Sequence, residues 1–308
     1  MDFSDKSLGI NDAPFASTKL MRLHAFGFLL VCLLPFVLAL DLTRGLFTLI
    51  FEKETFSQIP LIPLVSAVLL YGNRRVIFSD VSFGRVWWGA LITLGLIFLG
   101  VARLNLWQLS SANQGSVFVL GVVLVWMGAF AVFFGAGAFR AACFPLLFLL
   151  FAVPIPEPIL SKVIFFLQKE SAEVAGVFFR LAGIPYFRQG FIFELPGVTI
   201  RVAEECSGIR STIALLITTV LASHLFLRTF WRQLVLCAVV VPLAIFKNGL
   251  RIMALTTLSI YVDPGFLSGN LHHRGGIVFF MLALLPAALL LVWLQKGEKP
   301  SPDVAEGT

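Results

Sequence analysis

Long apolar runs separated by short polar segments dominate this chain, and they predict a membrane protein built mainly from helices. A membrane-spanning helix needs about 20 mostly apolar residues. The runs that approach this length cover residues 24–42, 56–73, 86–102, 116–138, 140–154, 207–227, 229–247 and 275–295. The pattern therefore predicts an all-α polytopic membrane protein with about eight transmembrane helices.

Two segments between the fifth and sixth predicted spans have other patterns. Over residues 158–182, apolar side chains recur at helical spacing and charged side chains share the opposite face, which is typical of an amphipathic helix in the outer membrane interface. A charged helix packed against the bundle is the alternative interpretation. Over residues 190–202, two β-prone runs flank Pro196-Gly197 and predict a short β-hairpin that leads to Cys206.

Basic residues lie between alternate pairs of the predicted spans, and this bias predicts the topology, because cytoplasmic loops are enriched in Lys and Arg. The residues are Lys19, Arg22, Arg74, Arg75, Arg85, Arg140, Arg228, Arg232, Lys296 and Lys299. Residues 1–23 and 296–308 are then cytoplasmic tails, and 24–295 form one integral-membrane domain. Residues 155–206 and 248–274 are predicted to lie on the outer side.

Composition agrees with a membrane location. Apolar residues make up 58% of the 308 residues and charged residues only 13%, against about 25% charged in a typical soluble domain. The formal net charge is +6, but the basic residues are scattered between apolar runs and no polar domain gathers them into one patch. Nucleic-acid binding is therefore not expected, and the lipid bilayer is the predicted environment.

The four cysteines show no CxxC spacing, so neither a zinc site nor a disulfide framework is expected. Three of them (Cys32, Cys143 and Cys237) lie inside apolar runs and are interpreted as small lipid-facing or packing residues. Cys206 differs, because it opens a predicted helix among charged residues. Free backbone N–H groups and the positive end of the helix dipole stabilise a thiolate at such a position.

The predicted topology places Cys206, Arg251 and His272 at the same membrane face. These residue types suit a nucleophile, a charge stabiliser and an acid–base group respectively. A buried structural cysteine, an interfacial histidine and an arginine that snorkels to the headgroups are the ordinary alternatives. Arg210 is a rival to Arg251, since it lies about one helical turn after Cys206.

Three sequence motifs resemble the exosortase/archaeosortase family. They are Val202-Ala-Glu-Glu-Cys-Ser-Gly-Ile-Arg-Ser211, Asn248-Gly-Leu-Arg251-Ile, and His272 followed four residues later by Gly276. Their order and intervening lengths are similar to those of the family, and the cysteine motif is fairly specific. The resemblance covers most of the chain and is strong from about residue 150 to 295.

The resemblance implies a membrane cysteine protease–transpeptidase that cleaves C-terminal sorting tails of exported proteins at the outer face of the cytoplasmic (inner) membrane. Such tails carry a short motif (Pro-Glu-Pro in the PEP-CTERM branch), a transmembrane helix and a basic end. Cys206 is then the nucleophile that forms an acyl-thioester, Arg251 the stabiliser and His272 the acid–base residue. Supporting roles fall to Arg210, Asn248 and His273, and no cofactor is implied. The expected partners are tail-bearing membrane-anchored proteins, with envelope-polysaccharide machinery as a further candidate.

Two other functions compete with this interpretation. A multi-pass transporter or polysaccharide-export assembly subunit would need polar residues along its path, whereas the predicted spans are plainly apolar. A haem or metal carrier could use His224, His272 and His273. The predicted topology puts His224 near the cytoplasmic end of the sixth span, away from the other two histidines.

Overall fold

The computed structural model describes residues 18–79, 89–263, 265 and 276–298. The chain forms two compact units. The first combines Met1–Lys53 with Ser57–Ile155, and the second combines Glu54–Phe56 with Pro156–Thr308. Most of the predicted tails lies outside the described residues, so their cytoplasmic location remains a prediction.

The first unit is helical. Its elements are α1 (Thr18–Leu38), α2 (Leu40–Glu52), α3 (Leu61–Gly72), α4 (Arg74–Ile77), α5 (Gly89–Leu104), α6 (Ser111–Ala141) and α7 (Cys143–Phe148), the last followed by a 3₁₀ turn at Leu149–Ala152. The chain bends by 86° between α1 and α2. At this bend the Thr43 hydroxyl donates to the carbonyls of Phe36 (3.1 Å) and Ala39 (2.9 Å). The Ala39 carbonyl also accepts from the Thr43 N–H (2.9 Å). The hydroxyl shares its single hydrogen between the two carbonyls, and it thus offers a donor to the Phe36 carbonyl near the end of α1.

Glycines bring α5 and α6 into backbone contact. A Cβ on Gly95 would lie 2.8 Å from the Gly121 carbonyl oxygen, and a Cβ on Gly121 would lie 2.9 Å from the Gly95 carbonyl oxygen. Further along α6, a Cβ on Gly128 would meet the backbone nitrogen of Ile92 at 2.9 Å. Small residues at membrane helix contacts allow such close approach, and van der Waals packing then holds the pair.

The second unit contains α8 (Glu157–Leu181), α9 (Ile209–Phe226), α10 (Phe230–Ala238), α11 (Val240–Tyr261) and α12 (Gly276–Lys296), with 3₁₀ turns at Glu54–Phe56 and Glu204–Ser207. Helix α8 ends in a Schellman motif. Gly183 has a φ of 68°, its N–H donates to the Arg180 carbonyl, and the Ile184 N–H donates to the Phe179 carbonyl. This turn directs the chain from α8 into a small sheet.

The sheet is antiparallel in the order β1 (Phe187–Gln189), β2 (Ile192–Leu195) and β3 (Val198–Arg201). The predicted hairpin is present as β2 and β3, which pair Leu195 with Val198 across the turn. Pro196 and Gly197, whose φ is 81°, occupy the positions where a type II turn favours Pro and Gly. Strand β1 was not predicted.

One face of the sheet packs on α8 and α11. The shared core consists of Ala172, Ala175, Phe179, Ile184, Phe193, Leu195, Ile200, Val202 and Ile252. Helix α8 contributes mostly small residues to this core, so the sheet and α11 approach it closely. The core fixes β3, and therefore the start of the segment that carries Cys206.

The last helix and the α9–α10 loop cap each other. The Glu298 carboxylate accepts hydrogen bonds from the backbone N–H groups of Arg228 (3.0 Å) and Thr229 (3.0 Å) at the start of α10. In return, the Arg232 guanidinium donates to the carbonyls of Leu294 (2.9 Å) and Gly297 (2.5 Å) at the end of α12. Helix ends leave these backbone groups without intrahelical partners, and the exchange satisfies both ends together.

Within the described residues, four helices are long and apolar enough to cross a membrane, and six candidates result if each of two bent helix pairs forms one span. The four are Ser111–Ala141, Ile209–Phe226, Phe230–Tyr261 and Val278–Lys296. Two shorter apolar helices, α3 and α5, coincide with the second and third predicted spans. The chain is thus a multi-pass helical membrane protein, and the count of eight spans remains a prediction.

Two details of the predicted pattern were wrong. The seventh predicted span ended at residue 247, but α11 continues to Tyr261, so Asn248 and Arg251 lie inside a helix and not in an outer loop. The predicted amphipathic helix is present as α8, but its buried face includes the polar Gln168 and Ser171, while Leu181 is 79% exposed. In a membrane, lipid solvates apolar side chains, so hydropathy alone does not identify the packed face.

Candidate active site

The segment that carries Cys206 is a single 3₁₀ turn, Glu204–Ser207, which we call the Cys206 turn. Cys206 was predicted to open a helix, but α9 begins three residues later, at Ile209. Gly208 separates the two elements with a φ of 74°, in the left-handed region that favours glycine. Its carbonyl accepts from the Thr212 N–H (2.9 Å) and the Thr212 hydroxyl (2.8 Å), which fixes the first turn of α9.

Asn248 lies against this junction. A Cβ on Gly208 would lie 2.9 Å from Asn248 Oδ1 and 3.0 Å from its Cγ. The Asn248 side chain is only 1% exposed. Glycine is therefore required at position 208 both for its backbone conformation and for the space that Asn248 occupies. Two of the three motifs found in the sequence, one around Cys206 and one around Asn248, thus meet in the structure.

Gly249, the second residue of the Asn-Gly pair, lies where α11 comes close to α8. A Cβ there would lie 2.6 Å from Val174 Cγ1 and 3.1 Å from the backbone nitrogen of Ala175 on α8. Helix α11 is therefore in close contact with α8 on the Gly249 side and with the start of α9 on the Asn248 side. The polar pair in the sequence suggested the end of a span, whereas it marks a tight three-helix contact.

Helix α8 supports the Cys206 turn from a second side, since the two elements pack together. Gln168 Nε2 donates to the Val202 carbonyl at 2.5 Å, and the Gln168 side chain is buried. One turn further along α8, the Ser171 hydroxyl is fully buried and makes no hydrogen bond with any residue that the structure describes. Neither residue was predicted to belong to the site. The feature of the sequence that could have identified them is that both are polar residues on the apolar side of a predicted amphipathic helix.

Cationic side chains cluster around the same turn. Arg251 is half-buried on α11, one helical turn beyond Asn248. Lys247, which was not predicted, is 4% exposed and donates to the Ser211 hydroxyl on α9. Arg210 is exposed in the first turn of α9. The arrangement places positive charge on the two helices that hold the Cys206 turn, which suits a reaction that develops negative charge.

The predicted histidines His272 and His273 lie outside the described residues, so their distance from Cys206 is a prediction only. His224 is exposed in the last turn of α9. The Cys206 turn lies at the other end of this helix, which begins at Ile209, and the rise of about 1.5 Å per residue places His224 roughly 22 Å along the helix from that end. Within the described ranges, no group of three or more His, Cys, Asp or Glu residues could hold a metal ion.

The other three cysteines are free thiols in helices that carry none of the three motifs. Cys143 is exposed at the start of α7, and Cys32 and Cys237 are partly buried in α1 and α10. They provide internal controls for any chemistry that is assigned to Cys206.

Comparison with protein families gives a match to the model described as transmembrane exosortase (Exosortase_EpsH), over residues 50–292. No curated protein and no solved structure gives a match. The matched region includes α8, the sheet, α9, α11 and all three sequence motifs. Because it spans well over half of the 308 residues, the chain belongs to the transmembrane exosortase family.

Proposed function

We propose that this chain, as a transmembrane exosortase, is a cysteine peptidase–transpeptidase that cleaves C-terminal sorting tails of exported proteins. The observation that carries the proposal is the contact between Gly208, two residues after Cys206, and Asn248 on α11. Arg251 lies one helical turn beyond Asn248 on α11, which packs against the Cys206 turn. The fold thus supports a site in which the cysteine motif and the arginine motif act together.

In the proposed reaction the Cys206 thiolate attacks the carbonyl carbon of the scissile peptide bond. The Arg251 guanidinium stabilises the negative oxygen of the tetrahedral intermediate. When the C–N bond breaks, His272 donates a proton to the leaving amine, and the acyl group stays on Cys206 as a thioester. Water or an amine acceptor then attacks the thioester and transfers a proton to His272, and the C–S bond breaks to restore the Cys206 thiolate.

The proposed substrate is a membrane-anchored protein whose tail carries a short recognition motif, a transmembrane helix and a basic end. Its helix would dock beside the enzyme's spans in the cytoplasmic membrane, so that the scissile bond reaches the outer interface. The β-sheet before the Cys206 turn is the proposed recognition surface. It shares a core with α8 and α11, so a peptide bound to the sheet would be held at a fixed position relative to the turn.

The proposal is tested by co-expressing a tail-bearing substrate with the enzyme and following its cleavage by gel shift. Cys206→Ala should abolish cleavage at unchanged enzyme level. Cys143→Ala is the matched control, because it removes another thiol, and it should retain cleavage. Cleavage that survives in Cys206→Ala would refute the nucleophile assignment. Absence of cleavage by the unaltered enzyme, across tails of many sequences, would favour the transporter or assembly-subunit alternative.

A further inference from the structure

Lys247 is a buried cation at the end of an apolar run. It lies in the candidate span Phe230–Tyr261 and is flanked by the apolar run Pro242-Leu-Ala-Ile-Phe246. Its side chain is 4% exposed, so its ammonium group does not reach the interface as a snorkelling lysine does. Within the part of the chain that the structure describes, no carboxylate forms an ion pair with it.

A buried ammonium group without a counter-ion is costly, because the charge loses its favourable interaction with water. Ionisable residues inside membrane spans are rare for this reason, and they commonly mark functional sites. A methionine or leucine would fill the same space without that penalty. The position of Lys247 therefore calls for a functional explanation.

The hydrogen bond of Lys247 connects its ammonium group to the junction between the Cys206 turn and α9. Lys247 donates to the Ser211 hydroxyl, and that hydroxyl in turn donates to the Gly208 carbonyl at 3.0 Å. The chain of hydrogen bonds thus ends two residues after Cys206. A hydroxyl has one donor and two acceptor positions, so Ser211 can serve both neighbours at once.

Arg251 adds a second charge on the same helix. It lies four residues after Lys247, and the two cations repel each other electrostatically. Two like charges held together destabilise the resting protein. They become favourable when a negative charge forms beside them, because preorganised cations need not move to stabilise it.

We propose that Lys247 is a positioning residue of the active site, whose fixed positive charge, held through Ser211, stabilises negative charge on the Cys206 turn. This inference rests on the proposed function, in which Cys206 is the nucleophile. Lys247 gains and loses no proton in the cycle. It acts on the sulfur anion before attack, and on the same charge when the thioester breaks and the thiolate leaves.

The test compares two alkylating agents that differ in charge. The membrane-embedded enzyme is treated with anionic iodoacetate or neutral iodoacetamide at one pH, and the modification of Cys206 is quantified by peptide mass spectrometry. A fixed cation favours the anionic reagent. In the neutral variants Lys247→Gln and Lys247→Met, the ratio of iodoacetate to iodoacetamide rates should fall about three- to tenfold, as expected for removal of one charge within a Debye length.

Lys247→Arg is the matched control, because it keeps the charge and should keep the ratio within about twofold of the unaltered enzyme. Glu204, Arg210 and Arg251 remain unchanged in all variants, so the difference isolates Lys247. The Gln variant retains a hydrogen-bond donor for Ser211, whereas the Met variant does not. Both lack the positive charge, so the reagent ratio can be measured with whichever of them reaches the membrane. An unchanged ratio in a neutral variant would overturn the inference.

This outcome is separate from the proposed function, since alkylation requires no substrate. If Cys206→Ala abolishes processing while the neutral Lys247 variants keep the reagent ratio, the function stands and the inference fails. If processing survives in Cys206→Ala, the proposed function fails, whatever the alkylation ratio is.

Discussion

Gly208→Ala is the change whose effect on the site can be worked out most fully from the structure. Gly208 has a φ of 74°, and a non-glycine residue in this left-handed region costs about 1–2 kcal/mol. The added Cβ would also lie 2.9 Å from Asn248 Oδ1. Asn248 is buried in a tight helix contact and cannot move freely, and overpacking of this kind typically costs about 1–3 kcal/mol.

The expected total destabilisation by Gly208→Ala is therefore about 2–5 kcal/mol. The displacement falls on the junction between the Cys206 turn and α9, so processing of a tail-bearing substrate should fall by more than about tenfold even in the fraction that stays folded. Thermal unfolding of the purified protein in detergent gives the stability, and the gel-shift assay gives the activity.

Gly183→Ala is the matched control for this prediction. Gly183 also has a positive φ, 68°, but a Cβ there would meet nothing within 4 Å. The control should show the backbone cost alone, about 1–2 kcal/mol, and near-normal processing per folded molecule. If Gly208→Ala resembles Gly183→Ala in both assays, the contact with Asn248 does not organise the site, and the reasoning is refuted.

Three further predictions concern other parts of the fold. Gln168→Leu leaves the buried Val202 carbonyl without its side-chain donor and should lower the free energy of unfolding by about 1–3 kcal/mol. Lys169→Leu, at the exposed neighbouring position, should change the free energy of unfolding little, and equal effects of the two changes would contradict the role of this hydrogen bond. Gly121→Val should disrupt the α5–α6 contact and lower the thermal midpoint, whereas Gly100→Val, where a Cβ meets nothing within 4 Å, should not; similar midpoints would disprove the close packing. The backbone N–H groups of Thr229 and Arg228 hold the pKa of the Glu298 carboxyl below its usual value. The stabilisation by this group is therefore present above the ordinary Glu pKa of about 4.3 and is lost as the pH falls below it. Acidification from pH 6 to pH 3.5 should lower the thermal midpoint more in the unaltered protein than in Glu298→Gln, and parallel curves would argue against the cap.

Local patterns in the sequence were sufficient for the features that depend on local chemistry. Pro196-Gly197 predicted the β2–β3 turn, because the backbone conformation of a two-residue turn is set largely by the residues within it. Strand β1 was missed, since Phe187-Arg-Gln189 has no alternating pattern and becomes a strand only through pairing with β2.

The packed faces of the helices could not be predicted in the same way. Asn248 and Gly249 were interpreted as the end of a span, because polar and small residues usually interrupt hydrophobic runs. Their contacts with Gly208 and Val174 show that they are buried within α11. Hydropathy reports the preference for lipid over water, whereas the choice of helix partner depends on shape and hydrogen bonding.

The same distinction between local sequence patterns and contacts between distant residues applies to the site. Their order along the chain and the family resemblance were sufficient to single out Cys206, Arg251 and His272 as candidates, and the structure places the first two on elements that pack together. Gln168, Ser211 and Lys247 were given no role from the sequence, although Ser211 lies within the cysteine motif. Their relevance depends on contacts between residues 34 and 36 positions apart in the chain, and a single sequence does not reveal such contacts.

Direct capture of the covalent intermediate is the measurement that tests the central claim most directly. The enzyme is mixed with a tail-bearing substrate, quenched in acid, digested and analysed by mass spectrometry for a substrate acyl group that neutral hydroxylamine removes. We expect a thioester on Cys206 that is absent in Cys206→Ala and present in Cys143→Ala. Substrate cleavage with no acyl group on Cys206, or with the acyl group on a different residue, would contradict it.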